Sequence, residues 1–274
     1  MYRQNLHTHT VYCDGRDTPE ELVKEALCIG FDSIGFSAHS YMDWNPDKSL
    51  TPEKEVLYKE NIRFLKEKYR ELIDIYLGIE VEMCSLPLSL RGYDYTIGTV
   101  HYIKKGGVLL PAFRSEETVR TFINEYFGGN GMAYAKCFYE TAATLGEHGR
   151  FDIVGHFDLI TKHAERITLF DTESKEYKSY ALEALHTVAQ THKIFEINTG
   201  AIGRGYRKTP YLAPFLMREL RTLGCGLVIS SDCHDKRNLA VCYPEAVEYA
   251  KSFGFTELFA LTKEGFAPID IRAL

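Results

Sequence analysis

The stretch YRQNLHTHTVYCDGRDTPEELVKEALCIG, Tyr2 to Gly30, sets the reading of the chain. A short strand-like run from Tyr2 to Leu6 leads straight into His7-Thr8-His9-Thr10. Thr18-Pro19-Glu20-Glu21 then supplies a capping residue, a proline at the first helical position and a glutamate that closes a capping box. Leu22, Val23, Ala26, Leu27 and Ile29 follow at helical spacing, with Gly30 placed to stop the helix. The unit is strand, polar loop, helix.

The same unit recurs outward along the chain. Ser33 to Ser37 reads as a strand ending near His39, and Thr51-Pro52-Glu53 opens a helix to about Leu72. Strands over Ile75 to Val81 and Tyr95 to Val100 carry Glu80 and deliver His101. A helix from Met132 to Glu147 precedes a strand, Asp152 to Gly155, that ends in His156. Helix Ser174 to Thr191, strand Ile194 to Ile197, helix Pro210 to Leu223 and strand Gly226 to Ser231 follow, then a helix near Glu245 to Phe253 and a run at Leu258 to Leu261. Seven or eight strand–helix units with no internal repeat and no flexible linker predict one α/β barrel domain over residues 1–274. Between about 104 and 130 the pattern changes, with Gly106, Gly107, Gly128 and Gly129 around a short helical stretch, and a lid-like excursion is expected there.

Composition narrows the class. The 274 residues, 45% hydrophobic and 26% charged, fit a globular core rather than a disordered or fibrous chain. No stretch nears the roughly 20 apolar residues of a membrane helix, and Met1-Tyr2-Arg3-Gln4-Asn5 lacks the apolar core of a signal peptide. A formal charge of −6 argues against a nucleic acid as the main partner. Seven cysteines form no Cys-x-x-Cys pair and read as reduced thiols, so a cytoplasmic location is expected. Oligomeric state has no sequence signal.

Six of the ten histidines and three carboxylates stand at or beside the ends of the apolar runs: His7, His9, Asp14, His39, Glu80, His101, His156, Asp232 and His234. Imidazole nitrogens and carboxylate oxygens are the donors that hold zinc, manganese or iron. Residues two apart on a strand share a face, so His7 and His9 can serve one ion, and Asp232 and His234 repeat the geometry around Cys233. Strand C-terminal ends of an α/β barrel converge on one mouth, where nine donors suit two or three divalent ions. His148, His186 and His192 fall in or near helices and read as solvated, while His163 lies in a loop after a strand. Cys233 reads as a small buried hydrophobe.

No nucleophile elbow, Walker loop or dinucleotide fingerprint occurs. A basic loop, Asn198 to Lys208, follows a strand instead, with Arg204 and Arg207 offering forked donors to phosphate oxygens and Lys162 adding a third cation.

His-Thr-His-Thr followed by Asp14-Gly15, then Gly78-Ile79-Glu80, Gly98-Thr99-Val100-His101, Gly155-His156-Phe157-Asp158 and Ser231-Asp232-Cys233-His234 together resemble the polymerase and histidinol phosphatase (PHP) family. Order and spacing agree from residue 3 to about residue 240, and the stretch from Glu196 to Tyr211 is most similar to its stand-alone histidinol-phosphate phosphatases. The resemblance implies a distorted, TIM-like (β/α)7 barrel with a trinuclear centre. By motif, His7, His9, Glu80 and Asp232 would hold one ion, Glu80 bridging to a second that takes His101 and His156, while Asp14, His39 and His234 would hold the third. Some members carry histidine where Asp14 stands, which leaves the metal preference and occupancy of that third site open.

The reaction expected is hydrolysis of a small phosphate monoester, L-histidinol phosphate, in histidine biosynthesis, by a hydroxide held between metal ions. Glu80, Asp232 and Arg204 would carry catalysis, with Arg204, Arg207 and Lys162 on the phosphate. The leaving-group acid is either a metal-bound water or Asp232. Glu82, Tyr102 and the segment around Trp44 are candidates by position for reading the rest of the substrate. Two other readings stand beside this one: the same centre acting on a mononucleotide, an oligonucleotide end or a phosphotyrosine, and a metal-stabilised binding domain without catalysis.

Overall fold

Parallel strands buried on both faces need helices over the outer one, and this chain supplies the two in alternation. The structure is a computed structural model that describes residues 2–85, 89–147 and 151–274. In chain order, β1 (Gln4–Asn5), α1 (Pro19–Cys28), β2 (Ser33–His39), α2 (Pro52–Lys68), β3 (Asp74–Glu82) and β4 (Tyr95–Thr99) build the first half of the barrel. A hairpin of β5 (Tyr102–Lys105) and β6 (Val108–Pro111), then α3 (Glu116–Phe127) and α4 (Gly131–Ala143), separate it from the second half. That half holds β7 (Ile153–Val154), α5 (Lys175–Ala189), β8 (Ile194–Asn198), α6 (Gly200–Gly203), α7 (Pro214–Thr222), β9 (Gly226–Ser230) and α8 (Tyr243–Ser252). A final hairpin joins β10 (Glu257–Thr262) to β11 (Gly265–Asp270).

Seven strands pair in parallel in the order β1-β2-β3-β4-β7-β8-β9. The barrel closes just beyond the outer strands, where Thr8 and Cys233 form a parallel bridge. There His9 N–H donates to Cys233 O at 2.8 Å and Cys233 N–H to His7 O at 3.0 Å. The closing rungs therefore belong to the two His/Asp motifs.

Inside the barrel, Leu6, Tyr76, Tyr95, Ile97, Ile153 and Val228 form a cluster of their own, closed by Leu261 from β10. Tyr76, Gly78 and Glu80 share one face of β3, so this apolar cluster lies under the polar rim. A Cβ on Gly78 would lie 2.2 Å from the Tyr95 ring, whose hydroxyl donates to Leu6 O. A larger cluster, including Leu22, Val23 and Ala26 of α1, fills the space between strands and helices.

Local chemistry accounts for most element ends. Thr18 and Glu21 make the expected capping box on α1, and Gly30 takes φ 79° just past its end. Three expectations shift. α2 stops at Lys68, because Leu72 N and Ile73 N both turn back to Tyr69 O and lead the chain into β3. α7 starts at Pro214 rather than Pro210, since Tyr211 is held in an antiparallel bridge to Asn198. The run Leu258 to Leu261 adds no eighth barrel strand. It pairs antiparallel with β11, and Gln4 clamps Leu261 N and O at 2.8 Å each.

Candidate metal centre and cleft

The donors reach the rim because each follows a barrel strand or stands near its end. His39 ends β2 and pairs in register with Glu80, two residues before the end of β3, while His101 follows β4, His156 follows β7, and Asp232 and His234 follow β9. His7 and His9 flank Thr8, whose hydroxyl turns away to Gly35 O at 2.5 Å. The structure brings all nine together.

Glu80 is the hub. Its Oε1 lies 3.1 Å from His156 Nε2, 3.3 Å from His7 Nε2 and 3.6 Å from His101 Nε2. Its Oε2 lies 2.7 Å from His39 Nδ1 and 3.4 Å from His9 Nε2. Asp232 Oδ1 stands 3.2 Å from His9 Nε2 and 3.6 Å from His7 Nε2. Asp14 Oδ1 gathers His234 at 3.1 Å, His39 at 3.5 Å and His9 at 3.7 Å. Four overlapping groups have donor atoms within 4.8 Å of one another: His9, Asp14, His39 and His234; His7, Glu80 and His156; His7, His9 and Asp232; His39, Glu80 and His101. His7, His9, His39 and Glu80 each belong to two groups, and the sharing by His9 and His39 is one that the motifs alone do not display.

These groups fit divalent cations on a test independent of motif. His7 Nε2, His9 Nε2, Asp14 Oδ1 and Glu80 Oε2 are buried with no hydrogen-bond partner. Buried polar atoms are ordinarily paired, and orphaned lone pairs converging on one space are what a cation relieves. Against the pull of burial, Glu196 and Glu80 push the His7 ring well above the usual imidazole range and Glu80 pushes His39 up to about 9, a proton load that a bound cation would displace. Burial alone would raise the Glu80 and Asp232 carboxyls, yet the imidazoles around Glu80, and Arg204 with His7 beside Asp232, hold both well below the usual carboxylate range. Burial and the neighbouring His234 and His39 bring His9 down to about 3, so its ring is neutral and free to donate a lone pair.

Asp232 is one of two non-glycine residues with positive φ, at 46°, among the described residues. This left-handed turn, which aspartate tolerates better than most side chains, points the carboxylate back over the barrel. Arg204 fixes it there, with Nη2 2.8 Å from Oδ2 and Nη1 2.7 Å from Asp232 O. Gly200 leaves the room: a Cβ there would stand 2.4 Å from Ser231 O and 3.0 Å from the Arg204 guanidinium.

A cleft of about 200 Å³ opens above the rim, bordered by Asp14, His39, His101, Asp232 and His234 below and by Lys162, Arg204, Tyr102, Phe113, Met42 and Asn45 on its walls. Lys162 donates to Phe113 O at 2.6 Å and lies 4.0 Å from the Tyr206 ring centroid. Burial and the nearby Arg204 lower its ammonium to about 8. Arg207 is not on the cleft wall. Its guanidinium, 7% exposed, binds Thr161 and Thr209 and stacks 4.7 Å from the Tyr211 ring centroid.

Tyr102 borders the cleft, and Trp44 stands behind it with ring centroids 5.6 Å apart. Glu82 turns to His101, accepting its backbone N–H at 2.7 Å and facing its Nδ1 at 3.1 Å. His192 is buried rather than solvated, accepting from Phe151 N at 3.1 Å, whereas His186 is exposed and faces Glu219 at 2.7 Å. His163 is buried against Arg114 O at 2.7 Å, and His148 lies outside the described residues. Met42 and Asn45 bring the segment around Trp44 to the cleft as expected by position, whereas Phe113 and, above all, the buried Glu196 have no role in the sequence reading. Of the latter two only Glu196 leaves a trace, as a charge in the middle of an otherwise apolar strand.

The PHP domain model matches residues 5–200. The chain belongs to the PHP family. The match covers β1 to β8, and the Asp232 motif lies beyond it in the same barrel. Among relatives of this PHP chain, the histidinol-phosphatase of Bacillus subtilis is 25% identical over 270 residues, 90% of this chain and 99% of that one. A protein of Deinococcus radiodurans named a probable histidinol-phosphatase is 27% identical over 265 residues, 90% and 92% of the two chains. The solved structure of histidinol phosphate phosphatase from Lactococcus lactis, complexed with zinc, L-histidinol and phosphate, matches with a TM-score of 0.72. It covers 97% of this chain and 98% of that one at 20% identity, a likeness of fold.

Proposed function

We propose that this PHP chain is a metal-dependent phosphomonoesterase that converts L-histidinol phosphate and water to L-histidinol and phosphate, the step that supplies histidinol in histidine biosynthesis. The observation that carries the reading is the pairing of nine converging donors with the cations of a small cleft, Lys162 and Arg204 together with Lys48 on its border. Full-length similarity to histidinol-phosphatases supports the substrate.

In this reading His7, His9, Glu80 and Asp232 hold one divalent ion, Glu80 with His101 and His156 a second, and Asp14, His39 and His234 a third, zinc, manganese and iron all suiting such donors. Bound ions would acidify water and neutralise phosphoryl oxygens. The chain itself does the remaining work. Lys162 and Arg204 draw the phosphate dianion to the rim and offset its charge as attack proceeds. Asp232, kept ionised by Arg204, serves as a carboxylate rather than as the acid that protonates the leaving alkoxide. Tyr102 and Phe113 give the organic part an aromatic wall. The segment from Tyr102 to Phe127 covers that side, held by Lys162 on Phe113 O and His163 on Arg114 O.

Phosphate release from L-histidinol phosphate by metal-supplemented protein tests this. Activity is expected to vanish with chelator and to fall at least about a thousandfold in a His7→Ala, His9→Ala double variant. Activity that survives either treatment refutes the mechanism, and a preference above tenfold for a nucleotide in side-by-side kcat/KM measurements refutes the substrate.

A further inference from the structure

Two buried carboxylates, Glu196 and Glu82, stand directly behind donor histidines and belong to none of the donor groups. Glu196, in the middle of β8, is wholly inaccessible to solvent and receives four donors. Its Oε1 faces His7 Nδ1 at 2.6 Å and accepts from the Ser230 hydroxyl. Its Oε2 accepts from the His156 backbone N–H at 2.7 Å and from the Asn198 amide at 3.0 Å. One side chain thus ties the β1, β7, β8 and β9 ends together directly beneath the centre.

A carboxylate ionised and saturated by donors can only accept, so the His7 nitrogen facing it carries the hydrogen. An imidazole that serves as a metal donor is neutral and keeps one ring hydrogen, here on Nδ1, which leaves the lone pair on Nε2. That Nε2 is the atom buried without a hydrogen-bond partner, 3.3 Å from Glu80 and 3.6 Å from Asp232. Glu82 stands in the same relation to His101 from β3, with Nε2 again turned toward Glu80. We propose that Glu196 is a positioning residue that fixes His7 as the Nδ1–H tautomer and locks its ring against the His156 backbone, with Glu82 doing the same for His101. The proposal rests on reading His7 and His101 as metal donors.

Glutamine has the right shape and the wrong chemistry. Its NH2 group would confront either His7 Nδ1, forcing the opposite tautomer, or the His156 N–H and Asn198 amide, which are donors already. A residue needed only to join strands would not select which imidazole nitrogen is protonated. Carboxylates behind metal-bound histidines affect metal affinity about 10- to 100-fold when removed.

The test is zinc binding without substrate. Equilibrium titration against a competing chelator, on protein whose far-UV spectrum in excess chelator matches that of the unaltered chain, is expected to show zinc held about 10- to 100-fold more weakly by Glu196→Gln. A folded Glu196→Gln protein with unaltered zinc affinity overturns the proposal. Long-range 1H–15N spectra of the unaltered zinc-loaded protein, with His7 assigned by loss of its signals in His7→Ala, give the second reading. Hydrogen on Nδ1 of His7 is expected, and hydrogen on Nε2 overturns the proposal even where Glu196→Gln fails to fold. An unaltered protein that binds no zinc removes the metal reading itself, whereas zinc bound normally with no phosphate released sinks only the proposed function.

Discussion

Lys162 and Arg204 show how burial changes what a basic side chain can do. An ordinary lysine stays charged past pH 10, but burial brings Lys162 to about 8, so it is cationic below that pH and neutral above it. Its contribution to phosphate binding is therefore expected at neutral pH and lost as pH rises through 8. KM for the phosphoester should climb above pH 8 in the unaltered enzyme, and Lys162→Met should raise KM roughly 10- to 100-fold at pH 7 while flattening that climb. A KM profile that stays level from pH 7 to 10 contradicts this role. Arg204 acts through a fork that spans the carboxylate and the carbonyl of Asp232. Arg204→Lys keeps the charge but not the fork, and kcat/KM is expected to fall about tenfold or more. Arg207, three residues on in the same basic loop, is committed to Thr161 and Thr209, so Arg207→Lys should lower stability while leaving KM nearly unchanged. Both arginines look alike in sequence.

The elements around the cleft were legible to different degrees, and the differences have local causes. The capping box of α1 is written in four residues, and Thr18→Ala should cost about 1 kcal/mol in denaturant unfolding. The start of α7 was misplaced because the Tyr211–Asn198 bridge is a contact between distant segments that no helical periodicity records. The excursion after β4 was visible as a change of pattern, but not its content of a hairpin and α3, nor the two donors that pin it. Removing one pin tests its independence. His163→Ala should speed hydrogen exchange over residues 102–116 by roughly five- to tenfold, with little change in the melting midpoint, since a single hydrogen bond contributes about 1 kcal/mol. Uniform loosening of the whole chain would instead mean that the pin belongs to the global core.

At the scale of the molecule, the two ends of the chain complete the barrel. The His7–His9 strand end meets Cys233, and β10 closes the base of the barrel with Leu261 while Leu258 packs into the larger core. Deleting residues 257–274 should expose several aliphatic side chains, each contributing about 1.5–3 kcal/mol, a loss comparable with total stability, and yield protein without a cooperative melting transition. Divalent ions cross-linking strand ends that are far apart in sequence should act in the opposite sense. Chelation is expected to lower the melting midpoint by about 5–10 °C, the effect of a ligand present at roughly a hundred times its Kd on a chain of this size. Donor types, strand–helix alternation, caps and the PHP motifs could all be read from residues alone, because ligand chemistry and hydrophobic period are properties of short segments. Folding was needed to make Glu80 the common neighbour of five imidazoles, to send Arg204 to the cleft and Arg207 beneath it, and to set Glu196 behind His7. Those outcomes depend on strand register and closure between residues up to about two hundred positions apart, and a charge in an apolar strand does not reveal its partner until the strands are paired.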